Sequence, residues 1–420
     1  MELKYGSSLL TIDLPPERLA GVILPPPIFV NNSPEDIIKA ALASCADNLS
    51  ALKPGDRVVI VTSDITRYTG SEIYLPILLD SLNQQGISDG DIEIIIALGI
   101  HRKQSEHEHK KILGSLYGRI KVSDHECDDP DALRFVGVTS GGIEVVINRK
   151  AVEADHLILT GTIGFHYFAG FGGGRKSVLP GIASRKSCMA SHFVVLNPGG
   201  GSGKNPLAVT GNLEGNPVHA AMLEGCAFLN PSLILNTVLS ADKRIIAAFA
   251  GNWMTAHKEG CRFYSKNFSY PLQEKADLVI ASCGGFPKDI NLIQAHKSME
   301  YAAQSIKDGG VMILLAECRD GFGNSTFFNW FRHKSLELFE AALRSGYEIN
   351  GQTAYSLLQK TKRFKVILVS LFPPEQVEEM GMIPSESLED AMTLATELLP
   401  EYWRCYLMPE AGSVLPVPIA

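Results

Sequence analysis

Arg57-Val58-Val59-Ile60-Val61-Thr62-Ser63-Asp64-Ile65-Thr66-Arg67 is a run of β-branched residues that stops abruptly on hydroxyl and charged side chains. An apolar run with no polar alternation is the pattern of a strand buried on both faces of a parallel sheet. The same pattern returns at Ile92 to Leu98, His156 to Thr160, Leu278 to Ala281, Val311 to Ala316 and Lys365 to Leu371. Longer helical patterns separate these runs, and that alternation predicts an α/β fold.

Ser33-Pro34-Glu35-Asp36 places a capping serine, a first-turn proline and two acids ahead of the apolar run that begins at Ile37. Ser298 to Lys307 reads as a second helix, closed by Gly309-Gly310. Asn197 to Gly215 is too rich in Gly, Asn and Pro for a regular element, and a loop of that length is functional or mobile. A polar stretch with a proline, Phe268 to Lys275, marks the domain break. Two domains are expected: a larger N-terminal α/β domain over 1–270 and a smaller Rossmann-like domain over 276–404, with 405–420 as a C-terminal tail. The active site is expected in the cleft between them.

Of 420 residues, 45% are hydrophobic and 20% charged, and 46 acids against 38 Lys and Arg give a net charge of -8. That supports real cores, and at roughly 150 residues per domain it fits two or three domains. It supplies no basic field, so nucleic acid is not an expected partner. The N-terminus lacks a basic region followed by an apolar core, and no apolar run approaches ~20 residues. The expectation is therefore a cytoplasmic protein with no membrane partner. Eight scattered cysteines contain no C-x-x-C pair, which argues against a zinc ribbon, an iron–sulfur cluster or a disulfide framework. They read as buried thiols.

Ligands of open α/β sheets sit beyond the carboxyl ends of the strands. Ser63-Asp64-Ile65-Thr66-Arg67 follows the first strand, and Gly99-Ile100-His101-Arg102 follows the second. Gly161-Thr162-Ile163-Gly164-Phe165-His166 follows the third, and Gly284 to Asp289, leading to Gln294 and Lys297, follows the fourth. Any one of these taken alone reads first as a loop residue satisfied by nearby backbone. Together they bring two histidines, an arginine, a lysine and an aspartate toward one crevice. Histidine is the natural acid or base near neutral pH, and Arg67 with Lys297 supplies charge for an anionic substrate.

Ala169-Gly170-Phe171-Gly172-Gly173-Gly174-Arg175-Lys176-Ser177 would let backbone N–H groups approach an anion closely. It is not a Walker loop, because Arg175 stands where a Gly must precede the Lys. Pro198 to Asn205 misses the same pattern at both ends, and no G-x-G-x-x-G lies between a strand and a helix. His107 and His109 are two apart on a helical pattern and read as a solvated surface. His192 is ambiguous by itself, with a satisfied core histidine as the default.

These pieces resemble the nickel-dependent lactate racemase family. Asp64-Ile65-Thr66-Arg67 looks like that family's D-x-T-R loop, and Gly99-Ile100-His101-Arg102 like its G-x-H-R. The run from His166 to Lys176 resembles its H-x-x-A-G-F-x-G-G-x-K and continues into Pro180-Gly181. His192 falls at the family's nickel-ligating histidine, and Gln294 with Lys297 matches its Q-x-x-K.

The resemblance implies a nickel cofactor, the nickel-pincer nucleotide Ni(II)-pyridinium-3,5-bisthiocarboxylate mononucleotide, covalently attached at Lys176. It implies cofactor contacts from Asp64, Ile65, Thr66, Arg67, Gly172, Gly173, Gly174, Lys176 and His192, with His192 as the metal ligand in a square-planar set. It further implies that His101 and His166 are acid and base, and that Arg67, Gln294 and Lys297 bind the substrate. The implied activity is that of an isomerase, a racemase or epimerase inverting C2 of a 2-hydroxy acid by reversible hydride transfer. The enzymes that make the cofactor are the implied partners. A C–H beside a hydroxyl is too weakly acidic for a side chain to deprotonate easily, which makes hydride transfer to a cofactor the better route.

The family's lactate enzymes carry an aromatic residue just before the Gln of Q-x-x-K, where this chain has Ile293. Phe286, Phe322 and Trp330 could also reshape the pocket, although Phe322 and Trp330 read more readily as core aromatics. A larger or more polar 2-hydroxy acid, sugar acids included, therefore stands beside lactate as a substrate. The alternatives are an NAD-dependent 2-hydroxy acid dehydrogenase and a non-catalytic protein that binds nickel or a nucleotide cofactor.

Overall fold

The computed structural model describes residues 1–28, 30–348 and 350–419. The chain forms two compact units, one of Ile28–Leu196 and Lys204–Ser265, the other of Met1–Pro27, Asn197–Gly203 and Lys266–Ala420. Each has a six-stranded sheet.

In the first unit the strand order is Ile245–Gly251, Leu233–Leu239, His156–Ile163, Val58–Ser63, Ile92–Ala97, Lys121–Asp124. All pairings are parallel except that of the edge strand Ile245–Gly251. Alternate residues serve opposite faces. Ile60, Ile94, Ile158 and Leu235 pack with Leu75, Leu78 and Leu79 of the helix Ser71–Gln84. Val61, Ile95, Leu159 and Ile234 pack on the other side with Val178, Leu179 and Ile182. Burial on both faces explains the unbroken apolar runs, since each such side chain taken from water contributes about 1.5–3 kcal/mol.

The other unit's sheet runs Ile383–Ser385, Lys365–Val369, Ile306–Leu315, Ala276–Ser282, Cys405–Met408, Leu19–Val22, and every pairing is parallel. Its strand order reverses at Ala276–Ser282, the doubly wound arrangement. The segment expected to be a tail, 405–420, supplies the strand Cys405–Met408 inside this sheet, and the first 27 residues join it rather than the first unit. Leu3 and Ile12 pack with Leu278 and Ile313, which fixes the N-terminus there. Leu19-Ala20-Gly21-Val22 holds an Ala, a Gly and one β-branched residue, so its composition does not mark it as a strand.

The helix starting at Pro34 is capped by Ser33, whose side chain accepts from Asp36 N–H, but it stops at Ala43. The helix expected over 298–307 instead spans Leu292–Ala302, and Lys307 to Gly310 lie within the strand Ile306–Leu315. Asn197–Gly203 is held by Glu340 and Arg344, which bond Gly203 N–H and the Asn197 carbonyl at 2.9 and 2.8 Å. All eight cysteines are buried free thiols. Among the described residues no helix is long and apolar enough to cross a membrane.

Candidate active site

Asp64 stands one residue beyond the strand Val58–Ser63 and is buried. One carboxylate oxygen accepts from Thr66 N–H at 3.0 Å and from its hydroxyl at 2.6 Å, closing a tight turn. The other lies 2.6 Å from His101 Nδ1. Burial by itself pushes the Asp64 carboxyl up, but the bonds from His101 and Thr66 outweigh it and hold the group below the usual carboxylate range. An ionised Asp64 fixes the proton on His101 Nδ1, leaving a lone pair on Nε2. The turn is pinned farther along, where Thr69 bonds the fully buried Tyr74 hydroxyl, which also meets Thr62 and Thr160. Arg67 is exposed.

His166 and the glycine run follow the strand His156–Ile163. Gly172 N–H donates to the Gly164 carbonyl and Gly174 N–H to Asn236 Oδ1 at 2.7 Å. Gly173 has φ +110°, and a Cβ there would stand 2.6 Å from His257 Cδ2, so no other residue fits. Beneath the loop lies Arg175, fully buried. Its guanidinium donates to the carbonyls of Ala169, Phe171 and Gly172, donates to His219 Nδ1 at 3.0 Å, and meets His257 Nε2 at 2.8 Å. Burial lowers it to about 10, so it stays charged at neutral pH.

Lys176 follows directly. Its ammonium is pushed well below the usual lysine range by burial, with Arg67 and Arg175 adding to the shift. His166 is pushed well below the usual imidazole range by burial, then by the charges of Lys176 and Arg67, and by His192. The Phe168 ring joins the group: His166 meets it edge-on at 4.5 Å, His192 at 5.5 Å, and Lys176 Nζ lies 6.0 Å from its centroid. His166 Nδ1 accepts from Ala169 N–H at 3.3 Å, so the neutral ring carries its proton on Nε2. His166 and His101 are thus held in opposite tautomers.

His192 sits in the last turn of the helix Arg185–Phe193. Its Nδ1–H donates to the Cys188 carbonyl at 2.8 Å, leaving the Nε2 lone pair. Burial lowers it to about 4, so it is a neutral nitrogen donor. Among the described residues no cluster of three or more His, Cys, Asp or Glu side chains could hold a metal ion.

Gln294 and Lys297 belong to the other unit, on the helix Leu292–Ala302, where Lys297 Nζ donates to Gln294 Oε1 at 2.6 Å. Phe286 is half exposed beneath Arg319, whose guanidinium lies 5.2 Å from its ring. Trp330 is buried against Phe339, and Phe322 stacks between Phe328 and Phe372.

Residues 5–203 match the family model described as the lactate racemase N-terminal domain, and residues 272–415 match the lactate racemase C-terminal domain. The chain belongs to the lactate racemase family. A lactate racemase from Thermoanaerobacterium thermosaccharolyticum is 36% identical over 430 residues, covering 99% of this chain and 98% of its own. One from Lactiplantibacillus plantarum is 35% identical over 412 residues, covering 94% of each. The lactate racemase apoprotein structure from T. thermosaccharolyticum matches with a TM-score of 0.88 at 35% identity, covering 99% of both chains. A Thermotoga maritima protein with a TM-score of 0.64 at 19% identity, over 93% of this chain and all of that one, shares the fold.

As a member of the lactate racemase family the chain is an isomerase. Several supports of its site escaped the sequence reading. Asn236 and Thr237 interrupt the apolar strand Leu233–Leu239 because Asn236 Oδ1 holds Gly174 and the Thr237 hydroxyl holds the Thr69 carbonyl at 2.8 Å. Two fully buried polar residues in mid-strand were the available signal. His109, expected on a solvated face, is half-buried and bonds Asp124 at 2.8 Å.

Proposed function

We propose that this racemase inverts C2 of a 2-hydroxy acid, lactate or a relative of it, using a nickel-pincer nucleotide held by Lys176 and His192. The residues fit that group. His192 offers one neutral nitrogen donor, and a pincer ligand that brings the remaining donors needs no more. The low-lying Lys176 amine suits covalent attachment. The Asp64 to Arg67 turn and Gly172 to Gly174 would contact the nucleotide. When bound, the nucleotide supplies a carbon that accepts and returns hydride.

The observation that carries this reading is the Asp64–His101 bond of 2.6 Å, which readies His101 Nε2 as a base. In the proposed reaction His101 or His166 takes the hydroxyl proton of one enantiomer, and the other histidine serves the opposite one. Arg67, Gln294 and Lys297 would hold the carboxylate and polarise the oxygen, orienting a planar 2-oxo acid so that both of its faces can be addressed.

A nicotinamide-dependent dehydrogenase is less well supported. The helix that would meet a pyrophosphate is Leu292–Ala302, and its first amides are already taken: Leu292 and Ile293 N–H donate to the Gly321 and Phe322 carbonyls, and Gln294 N–H donates to Asn291 Oδ1. The decisive experiment is nickel per chain after co-expression with the cofactor-making enzymes, native against His192→Ala, with chiral chromatography of a panel of 2-hydroxy acids. Near-stoichiometric nickel that falls in the variant, together with racemisation by the native protein, is the expected result. A native protein without nickel, in cells that make the cofactor, would overturn the reading. Nickel with every hydroxy acid left unchanged would mean a binding protein.

A further inference from the structure

The polar network around the Asp64 turn extends beyond the residues assigned so far. Gln104 Oε1 accepts from Ile65 N–H at 3.1 Å, so a side chain from the loop after Ile92–Ala97 holds the backbone of the turn that carries Asp64. Gln104 is held in its turn, its own N–H donating to Asp124 Oδ2 at 2.8 Å. Asp124 ends the strand Lys121–Asp124, and its other oxygen meets His109 Nε2 at 2.8 Å. His109 stands on the helix Glu106–Leu113, whose N-terminus is fixed by a reciprocal bond pair between Ser105 and Glu108. The next residue, His125, donates its N–H to the Ile96 carbonyl, so Asp124 is anchored to the sheet itself.

Ser105 to His109 and Asp124 thus form a bonded frame, and among the described residues Gln104 Oε1 is the side-chain group that ties it to the backbone of the turn. Without it the turn keeps its internal Thr66–Asp64 bonds and its pin at Thr69, but the Ile65 N–H loses its partner and the Asp64 end of the turn is held less firmly against His101. We propose that Gln104 and Asp124, with His109 behind them, are positioning residues that hold Asp64 and so fix the tautomer and orientation of the His101 ring. Their place in the reaction rests on reading His101 as an acid/base group.

The test uses the full chain labelled with 15N-histidine, free of cofactor, at a pH where the rings are neutral, with the His101 signal assigned by its loss in His101→Gln. The native protein should show His101 with its proton on Nδ1. Gln104→Ala and Asp124→Asn should each give a mixed tautomer. In the cofactor-loaded enzyme kcat should fall about fivefold while KM stays within about twofold, the size expected for one lost hydrogen bond. A native His101 spectrum in both variants would overturn the proposal. If Asp124→Asn does not fold, Gln104→Ala decides the matter, because Gln104 is a half-buried residue on an otherwise exposed loop. Activity of His101→Ala is scored separately, so a failed acid/base reading shows there and a failed brace shows in the spectrum.

Discussion

Asp64 and His101, thirty-seven positions apart in sequence, share a 2.6 Å bond at the carboxyl edge of a parallel sheet, and this bond decides which ring nitrogen of His101 is free. Asp64→Asn keeps the shape of the side chain but removes the anion that fixes the tautomer. Activity should fall roughly 100-fold or more, in kcat rather than in KM. A steady-state comparison at saturating substrate checks this, and unchanged kcat would remove Asp64 from the mechanism.

Replacing either His101 or His166 by Ala should abolish turnover in both directions while leaving the circular dichroism spectrum and melting temperature near native. Racemisation needs proton exchange with both enantiomers. A variant that still equilibrates them would show that one histidine is dispensable.

Lys176→Arg keeps a long basic side chain but loses the primary amine. Intact-mass spectrometry of protein co-expressed with the cofactor-making enzymes should show an adduct on the native chain and none on the variant. An adduct retained by Lys176→Arg would place the attachment elsewhere.

Arg175 is buried against three carbonyls and two imidazoles, with no ion pair among the described residues. Arg175→Lys cannot reproduce a planar fork of donors, and carbonyls left unpartnered cost about 1–3 kcal/mol each. The urea midpoint should drop markedly, together with cofactor loading, because the same guanidinium holds the glycine loop that precedes Lys176. A native midpoint would show that the loop holds itself.

Burial lowers His257 well below the imidazole range, His219 to about 3 and His192 to about 4, and it lowers His166 as well. Each group's folded pKa lies below its unfolded one. The stability it contributes is therefore complete above about pH 6.5 and declines as the pH falls toward the folded value, at roughly 1.4 kcal/mol per pH unit for a group as buried as His257 or His219. Urea midpoints measured from pH 7.5 down to 5 should fall steadily, and a flat profile would contradict neutral burial.

Much of this protein was legible in its sequence wherever one local segment carried the whole signal. Strands such as Val58–Ser63 and Lys365–Val369 are buried on both faces, so each is an apolar run whatever its neighbours are. Asp64, His101 and His166 follow such runs within a few residues, and ligands of open α/β sheets sit beyond those strand ends.

What the tertiary structure alone decided is which distant residues meet. Cys405–Met408 and Leu19–Val22 pair although almost the whole chain separates them, and neither is long enough to announce a strand. Asn236, Thr237, Gln104 and Asp124 carry no signal of their roles in the local sequence pattern. Their roles consist of hydrogen bonds to Gly174, Thr69 and Ile65, and periodicity cannot encode a partner that lies in another segment. The sequence determined the chemical groups and the edge of the sheet where they gather. Folding set their protonation, because the burial of Lys176, His166 and His192 and the tautomers of His101 and His166 arise only from neighbours brought together in space.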